Sequence, residues 1–423
     1  MDVHVISKKD NSVHTTITLE NEGLGELGSN SVRVKTKLIS LTSNNLSYAR
    51  GGSFLGWWNT YPVPSSLPEP YNDTNDWGIV PAWGFATITK SNIPELAINS
   101  TLYGFWPTSA ALIDLKLEPW MQKGYFTETS PHRAKLMTVY NRYHVVSEPL
   151  PSADELAWRS LFFPVWQTGH LLSQYVFPAP SQSQIPIHPL GMGDAWSKDD
   201  ANLTSALVIS LSASSKTGRS FAWHLSKRAN GTGPLGLLQV SSIPDAISNA
   251  AETMRLGFPQ KSVSYTDLEN TISSNWLTDL KAEKIVIFDF GARDGVLEML
   301  ADTLYSHPTL MGSRVVILQV GSEQKVYSST ELAESQAAFK KLSKIQVNTS
   351  TIRDSILATE AGKHYFEESD RLWNEWSRDR ENVCLGMKLV WGEGVKGGDG
   401  LEGGWDRLCK GAVGANQGLV YNL

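Results

Sequence analysis

Between residues 204 and 321, short apolar segments alternate with amphipathic ones, and this alternation restricts the possible fold more than any other feature. The apolar segments are "SALVISLS", "LGLLQVSS", "KSVSY", "KIVIFDFG" and "SRVVILQVG". They are separated by segments with helical periodicity, such as "RSFAWHLSKRAN", "IPDAISNAAETMRLG" and "DGVLEMLADTLYSH". Continuously apolar strands that alternate with helices are typical of a parallel sheet covered on both faces. The sequence therefore predicts an α/β domain with a doubly wound parallel sheet.

The N-terminal third has a different pattern. The segment "VRVKTKLISL", Val32 to Leu41, alternates apolar and polar residues as a half-buried antiparallel strand does. The aromatic segment that begins "RGGSFLGWWNTYPVP" is interrupted by glycine and proline, which predicts loops and short strands rather than helices. The chain closes on "GLVYNL", and a last strand after several helices suggests a return to the first domain. We therefore expect a discontinuous β-rich domain, 1–155 and 330–423, around an inserted domain, 156–329.

A helix is expected in "SADELAWRSLFFPVWQTGHLLSQYV", where Ser152 is a plausible N-cap with Glu155 three residues later. Proline inside a helix removes a hydrogen bond, so Pro164 predicts a kink or two helices. His170 lies in this aromatic stretch. It is either a packed, neutral side chain or an acid–base catalyst.

The turn after the first strand of the α/β pattern, "SASSKTG", is the candidate phosphate site. In Rossmann-like domains, glycines in this turn let the backbone approach a pyrophosphate, and the next helix supplies unpaired N–H groups. Here hydroxyls and one lysine replace most of the glycines. The candidate cofactor-binding residues are Ser212, Ser214, Ser215, Lys216, Thr217 and Gly218. The alternative is a capped helix that follows a buried strand and binds nothing.

The end of the second strand bears on the choice of cofactor. Domains that bind NAD usually place an acidic residue there, on the ribose 2′-hydroxyl. This chain has Ser241 and Ser242 at that point, and Asp245 a few residues later. Serine does not repel a 2′-phosphate, so NADPH is preferred over NADH if either binds. The absence of any cofactor stays open as the alternative.

A second candidate cluster follows the strand at residues 32–41. Asn44, Asn45 and Tyr48 lie in "LTSNNLSYARGG", and a tyrosine can donate a proton or stabilise an oxyanion. Asparagine at such a position also commonly caps a turn. Nearby aromatic residues could form the wall of an apolar substrate pocket, or could simply be core. Those chosen as substrate-binding are Trp58, Tyr61 and Trp83.

Composition argues against several other classes of protein. Lys+Arg 37 against Asp+Glu 43 gives a net charge of −6 without a basic stripe, so no nucleic-acid partner is expected. No apolar run reaches the roughly 18 residues that span a bilayer, and the N-terminus lacks a signal-peptide pattern, so we expect a cytoplasmic protein without a membrane partner. Two cysteines, Cys384 and Cys409, and nine scattered histidines predict no metal site. The chain is expected to be a monomer or homodimer.

Four segments together resemble the DUF2855 family of the medium-chain dehydrogenase/reductase superfamily. They are "LTSNNLSYA", "WGIVPAWGFATI", "HRAKLMTVYNRY" and "VISLSASSKTG". The resemblance implies a GroES-like catalytic domain, a Rossmann-like nucleotide-binding domain and a site in the cleft between them. It also implies that Asn45 and Tyr48 belong to the family's cleft motif, and that the turn from Ser212 to Gly218 binds the cofactor.

The sequence departs from relatives with other chemistry. Zinc alcohol dehydrogenases carry Gly-His-Glu and an early cysteine, whereas this chain has "AWGFA" and no early cysteine. We therefore expect a zinc-free, NADPH-dependent reductase of an activated C=C or C=O bond in an apolar small molecule, with secondary metabolism as one setting. Tyr48, Asn45 and His170 are its candidate catalytic residues. The chain reads "VGSEQK" where the family is expected to have "VGATHW", which keeps a redox-neutral isomerase, cyclase or lyase as the alternative.

Overall fold

The structure, a computed structural model, describes residues 1–20, 25–180, 184–192 and 196–423. Its strands are β1 (Asp2–Ser7), β2 (His14–Thr18), β3 (Ser31–Leu41), β4 (Trp77–Gly78), β5 (Pro81–Ser91), β6 (Thr101–Pro107), β7 (Leu112–Pro119), β8 (Tyr125–Glu128), β9 (Arg142–Val145), β10 (Ala206–Leu211), β11 (Gly236–Val240), β12 (Gln260–Val263), β13 (Lys284–Phe290), β14 (Arg314–Gly321), β15 (Ile345–Gln346), β16 (Lys388–Glu393) and β17 (Gln417–Asn422).

Its helices are α1 (Ser43–Leu55), α2 (Ala153–Leu171), α3 (Lys198–Ala201), α4 (Lys216–Ser226), α5 (Pro244–Met254), α6 (Leu268–Ile272), α7 (Asn275–Asp279), α8 (Val296–Ser306), α9 (Ser329–Lys341), α10 (Thr349–Leu357), α11 (Tyr365–Val383) and α12 (Leu401–Cys409). Short 3-10 turns lie at Trp57–Asn59, Pro131–Arg133, Thr138–Asn141 and Glu360–His364, and a π-helical turn at Leu172–Val176. The chain forms two compact units. The first comprises 1–161, 324–327 and 388–423, and the second 162–323 and 328–387.

The first unit is built on a sheet in the order β16-β17-β3-β5-β6-β9-β8-β7. The long strand β3 pairs with β7 through its first half and with β17 through its last residues, while β5 lies along its other edge. The additional β3–β7 pairing closes the sheet into a barrel, which satisfies edge groups that would otherwise be exposed. β1, β2 and β4 form a separate small sheet.

The helix α1 corrects the prediction of loops around residues 50–59. Thr42 caps this helix: its Oγ1 accepts the N–H of Asn44 at 3.3 Å, and Asn45 Oδ1 in turn accepts the N–H of Thr42 at 2.7 Å. Such a reciprocal capping box satisfies N–H groups that a helix start leaves unpaired. The helix therefore continues through Gly51 and Gly52 to Leu55 in spite of their low helix propensity.

The second unit contains an all-parallel sheet in the order β12-β11-β10-β13-β14-β15. Numbered along the chain within this sheet, the order is 3-2-1-4-5-6, which is that of a doubly wound dinucleotide-binding fold. Every residue of β10, β11 and β13 is buried, as expected for strands covered on both faces. The predicted parallel sheet is confirmed.

The helix α2 is not divided at Pro164, in contrast to the expected break. It runs without interruption to Leu171 and passes directly into the π-helical turn Leu172–Val176. Aromatic packing of the two residues just before the proline stabilises it: Phe163 contacts Trp373 with ring centroids 5.1 Å apart, and Phe162 contacts Trp376 at 4.8 Å. This packing offsets the cost of about 3 kcal/mol that an internal proline carries.

The C-terminal segment differs from the expected 330–423 return. Residues 328–387 belong to the second unit and 388–423 to the first. The reason is packing, because α11 buries Trp373 and Trp376 against residues of the second unit, and Arg219 donates to the Val383 carbonyl at 3.0 Å. Only the last part pairs with the barrel, where Leu419 faces Leu41.

Within the described ranges, none of the helices combines the length and hydrophobicity needed to cross a membrane.

The second unit should be sensitive to acid because of two buried histidines. His170 and His224 are both 0% exposed, and within the described residues their ring nitrogens have no hydrogen-bond partner. Burial lowers the pKa of His170 to about 3, with Arg371 adding to the shift, and burial lowers the pKa of His224 well below 6.5, with His170 and Lys227 adding to it. The unfolded chain therefore binds protons that the folded chain excludes, so stability present at pH 7 is lost as pH falls below about 6.5.

We expect His170 alone to cost roughly 2 kcal/mol of unfolding free energy between pH 7 and pH 5. Urea unfolding of the full chain at both pH values measures this loss. The variant His170→Gln should show a smaller loss between pH 7 and pH 5, while the exposed control His364→Gln should retain the loss of the parent. An unchanged pH dependence in His170→Gln would contradict the assignment.

Candidate functional site

The predicted phosphate turn lies at the carboxyl end of β10, the central strand of the parallel sheet. β10 pairs with β11 on one side and with β13 on the other, so the connections leave the sheet in opposite directions at this point. In open α/β sheets, ligands bind outside the carboxyl ends of the strands at such a switch point. The topology thus places the serine-rich turn where a dinucleotide would be held.

Ser212 has a structural task that the sequence did not predict. Its backbone is left-handed, with a φ of 56°, a conformation that glycine adopts more easily. Its Oγ donates to the carbonyl of Gly291 at 2.6 Å and is 2.7 Å from the hydroxyl of Tyr265. The Ser212 hydroxyl therefore ties together the ends of β10, β12 and β13, which corrects its assignment as a phosphate donor.

Ser215 and Gly218 shape the start of α4. Ser215 is the N-cap, and its Oγ accepts the N–H of Gly218 at 3.0 Å. A Cβ at Gly218 would lie 2.9 Å from the carbonyl oxygen of Ala213, so only glycine permits this close approach of helix and turn. The geometry is that expected for the last glycine of a dinucleotide-binding turn.

Lys216 is the first residue of α4 and is half-buried. Burial lowers its pKa to about 8, with Arg219 adding to this shift and Cys384 opposing it. Arg219 is itself buried, and it donates to the Ser214 carbonyl at 3.1 Å and to the Val383 carbonyl at 3.0 Å. Arg219, which the sequence analysis missed, therefore anchors the turn to the end of α11.

The other residues of the turn and of the start of α4 carry groups that can donate hydrogen bonds to a diphosphate. Ser215, Lys216 and Thr217 are half-buried at the first turn of α4, whereas Ser214 is buried beneath them. They offer hydroxyl groups, one ammonium group and the N-terminus of an 11-residue helix. Hydroxyl, ammonium and helix N-terminal N–H groups are the donors that bind anionic phosphate in proteins. The chemistry of this set matches the phosphate part of NADPH.

The two serines at the end of β11, which were predicted to face a 2′-phosphate, differ in their exposure to solvent. Ser241 is fully buried, and its Oγ accepts the N–H of Ile243 at 3.0 Å, so its role is local capping. Ser242 is exposed. The exposed guanidinium of Arg293 lies 4.8 Å from the ring centroid of Tyr265, and these two residues follow β13 and β12. Sequence reasoning missed both, although their positions just after parallel strands were a usable signal.

Tyr48 lies in the first unit among aromatic rings. It is buried, with ring centroids 4.9 Å from Trp57, 5.1 Å from Phe105 and 5.8 Å from Tyr140. The Trp83 Nε1–H donates to its hydroxyl at 3.2 Å. Burial raises the pKa of Tyr48 to about 12, against the effect of hydrogen bonds with Trp83, Tyr140 and Asn44. The phenol is therefore protonated at neutral pH and can act as a donor.

Asn45 does not accompany Tyr48 as a catalytic partner. Its Oδ1 caps α1 through the N–H of Thr42, and its Nδ2 donates to the Pro81 carbonyl at 3.0 Å. The side chain is buried, and both ends of the amide are occupied. This corrects the predicted role and supports the capping alternative. Asn44 is the asparagine that reaches the Tyr48 hydroxyl.

The three predicted substrate-binding aromatics lie in different surroundings. Trp58 is buried against Gly52, where a Cβ would overlap its indole ring. The Tyr61 hydroxyl donates to the Phe105 carbonyl at 2.6 Å, and the guanidinium of Arg133 lies 4.5 Å from its ring. Both are core residues. Only Trp83, which is half-buried, lies beside Tyr48.

His170 belongs to the core of the second unit. Its ring stacks on Trp166 with a centroid distance of 5.6 Å and an interplanar angle of 5°, and it is 5.3 Å from His224. A side chain with no exposed surface supports the packing alternative rather than catalysis. Within the described residues, no three His, Cys, Asp or Glu side chains are grouped so that they could hold a metal ion.

Comparisons with known proteins bear on the fold and the family. A family model described as "Protein of unknown function (DUF2855)" matches residues 39–414. No curated protein matches the chain. CurA from Vibrio vulnificus, solved in complex with NADPH, shares 10% identity at a TM-score of 0.53, with 100% of this chain and 99% of that chain covered.

Two further solved structures match this chain over 100% of its length and over 100% of their own. Escherichia coli quinone oxidoreductase, complexed with NADPH, shares 12% identity at a TM-score of 0.51. Mycobacterial Rv1454c, also complexed with NADPH, shares 10% identity at a TM-score of 0.50. These likenesses confirm the predicted fold, a GroES-like barrel and a Rossmann-like parallel sheet. With nearly its whole length matched by the family model, the chain belongs to the DUF2855 family.

Proposed function

We propose that the protein is an NADPH-dependent reductase that acts without zinc on an activated C=C or C=O bond of an apolar small molecule. The observation that carries the proposal is the turn of hydroxyl groups and Lys216 at the switch point of the parallel sheet. Three structures of the same fold contain NADPH, which supports the choice of cofactor. The absence of the early cysteine and the Gly-His-Glu of zinc dehydrogenases supports a zinc-free reaction.

The second unit would bind the nucleotide. Ser215, Lys216 and Thr217 would hold the diphosphate at the start of α4, because this is where the helix N-terminus and the ammonium charge lie. Ser242 and Arg293 would favour the 2′-phosphate of NADPH, since both are exposed and neither carries negative charge. When bound, NADPH supplies the hydride.

The first unit would supply the proton. Reduction of a polarised double bond needs a hydride at one atom and a proton at the other, and the phenol of Tyr48 carries a proton that it can donate. The Trp83 N–H, which donates to the Tyr48 oxygen, holds the hydroxyl in one orientation and stabilises the phenolate after proton transfer. The rings of Trp57, Phe105 and Tyr140 exclude water from this hydroxyl.

A redox-neutral isomerase, cyclase or lyase is the second candidate, and the Ser212 geometry favours it. The hydroxyl that replaces the first glycine of the turn bonds to Gly291 and Tyr265 rather than to a ligand. Such an enzyme would turn over its substrate after all nicotinamide nucleotide had been removed. A requirement for added NADPH would eliminate this alternative.

The first prediction concerns nucleotide affinity. Lys216→Ala should weaken NADPH binding by about tenfold or more, because a hydrogen bond to a charged group contributes roughly 1.5–3 kcal/mol. Isothermal calorimetry measures this with NADPH, NADP and NADH, and NADPH should bind more tightly than NADH. The exposed Lys198→Ala serves as the matched control and should retain the parent affinity. No binding at millimolar NADPH, or equal affinity in Lys216→Ala, would refute the proposed site.

The second prediction concerns pH. Because the pKa of Lys216 is lowered to about 8, the free protein loses this charge as pH rises through that value. NADPH affinity should therefore decline between pH 7 and pH 9, and binding near pH 8 should take up protons. Lys216→Arg, which keeps its charge across this range, should bind NADPH with little pH dependence. An identical pH profile in Lys216→Arg and the parent would assign the titration to another group.

The third prediction separates Tyr48 from cofactor binding. Tyr48→Phe should lower kcat by about a hundredfold, in line with the loss of a general acid, while the Kd for NADPH stays unchanged. NADPH oxidation at 340 nm with a panel of enals, enones and quinones measures kcat. Ser47→Ala, a neighbour on α1, is the control. Full activity in a folded Tyr48→Phe protein would remove Tyr48 from the mechanism.

A further inference from the structure

A cavity lies in the second unit at the opposite end of α4 from the phosphate turn. It has a volume of about 370 Å³, within the range of roughly 300–1,000 Å³ that is usual for small-molecule sites. The π-helical turn Leu172–Val176, the end of α4 and the middle of α11 form its walls. Its charged lining residues are Lys227, Arg228, Glu368, Arg371 and Glu375.

The π-helical turn distinguishes this wall from an ordinary groove between helices. Single π turns are rare and occur frequently at functional sites. Here the turn presents Ser173 to the cavity. Ser173 is 1% exposed, and its hydroxyl has no hydrogen-bond partner in the described part of the chain. A buried hydroxyl without a partner costs free energy that a bound ligand or water can recover.

Three of the five charged lining residues compensate one another. The Lys227 ammonium is 2.9 Å from a Glu375 carboxylate oxygen and 3.0 Å from one of Asp379. Arg371 is 3.6 Å from the other oxygen of Glu375. These contacts use the charges of Lys227, Arg371 and Glu375 within the protein. A ligand would gain little by displacing them.

The other two charged lining residues, Arg228 and Glu368, take no part in these ion pairs. Arg228 donates to carbonyl oxygens only, at Thr232, Ser173 and Phe177, and it forms no ion pair with a carboxylate among the described residues. Its Nε–H is buried without a partner there, and burial lowers its pKa to about 10. Glu368 is half-buried, and in the described residues it forms neither an ion pair nor a hydrogen bond. One positive and one negative charge on the cavity wall are therefore left without a protein partner of opposite sign.

We propose that this cavity binds a small zwitterion of the amino-acid class, with its carboxylate towards Arg228, its ammonium group towards Glu368 and a hydrogen bond to the Ser173 hydroxyl. A ligand with a single charge would satisfy one of the two residues and leave the other uncompensated in a partly buried site, which is unfavourable. The proposal uses no residue of the phosphate turn and does not rest on the proposed reductase activity.

The twenty standard L-amino acids, added singly to the full-length protein, are the probes. Saturation-transfer NMR identifies those that bind, and isothermal calorimetry gives their Kd. At least one should bind, and both its deaminated acid and its decarboxylated amine should bind at least tenfold more weakly. Glu368→Gln should raise the Kd at least tenfold. Glu367→Gln, an exposed neighbour on α11 outside the cavity, should retain the parent Kd.

Arg228→Gln should also raise the Kd at least tenfold, but Arg228 holds the π-helical turn and its loss could unfold the region. Arg228→Lys keeps the charge with fewer hydrogen bonds and should bind more tightly than Arg228→Gln if both fold. Glu368→Gln removes no contact within the described residues, so it tests the proposal independently of folding. Failure of all twenty amino acids, equal binding of a singly charged analogue, or an unchanged Kd in Glu368→Gln would each overturn the proposal.

Discussion

Pairing of β10 with β11 on one edge and β13 on the other determines where the second unit can bind a ligand. The six residues of β10 are all buried, so the strand cannot shift its register without exposing apolar side chains. Its carboxyl end must then meet the ends of β12 and β13, and the Ser212 hydroxyl joins them through Tyr265 and Gly291. The start of α4, with Lys216, follows from this arrangement.

Several buried polar side chains that could have bound a ligand serve the fold instead. Asn45 caps α1, Ser241 caps the turn before α5, and Ser212 links strand ends. Each was a plausible ligand-binding residue from its type and position. A buried polar atom must find a partner, and where the backbone offers one nearby, the side chain is used there. The residues proposed for chemistry lie at a helix start, as Lys216 does, or in aromatic surroundings, as Tyr48 does.

Buried charged side chains, like buried polar ones, need partners within the fold. In the first unit, Arg133 is buried, lies 3.5 Å from Glu128 and donates to the Tyr143 hydroxyl at 2.8 Å. Removal of one member would leave a buried charge uncompensated, which costs several kcal/mol. Arg228 and Glu368 in the second unit lack such partners among the described residues, and this contrast is the basis for assigning them to a ligand.

The sequence by itself determined the parallel sheet, the barrel and the family. Continuous apolar strands between amphipathic helices leave few other folds, and Gly218 marks the close contact of α4 with its turn because no other residue fits there. The α1 helix was missed because Gly51 and Gly52, which follow its capping signal of Thr42 and Asn45, were interpreted as the start of a loop. Pro164 was overestimated as a breaker because the packing of Phe162 and Phe163 is not visible in the sequence.

Only the tertiary structure decided which polar residues serve the fold. Spacing along the chain placed Ser212 and Asn45 beside plausible ligands, but it carried no information about backbone groups brought near from distant segments, such as the carbonyls of Gly291 and Pro81. The same holds for Arg219 and Arg228, whose partners lie on other elements. Local sequence specifies helix, strand and turn through near-neighbour forces, whereas the use of a hydrogen bond or a charge depends on what the fold brings within 3 Å of it.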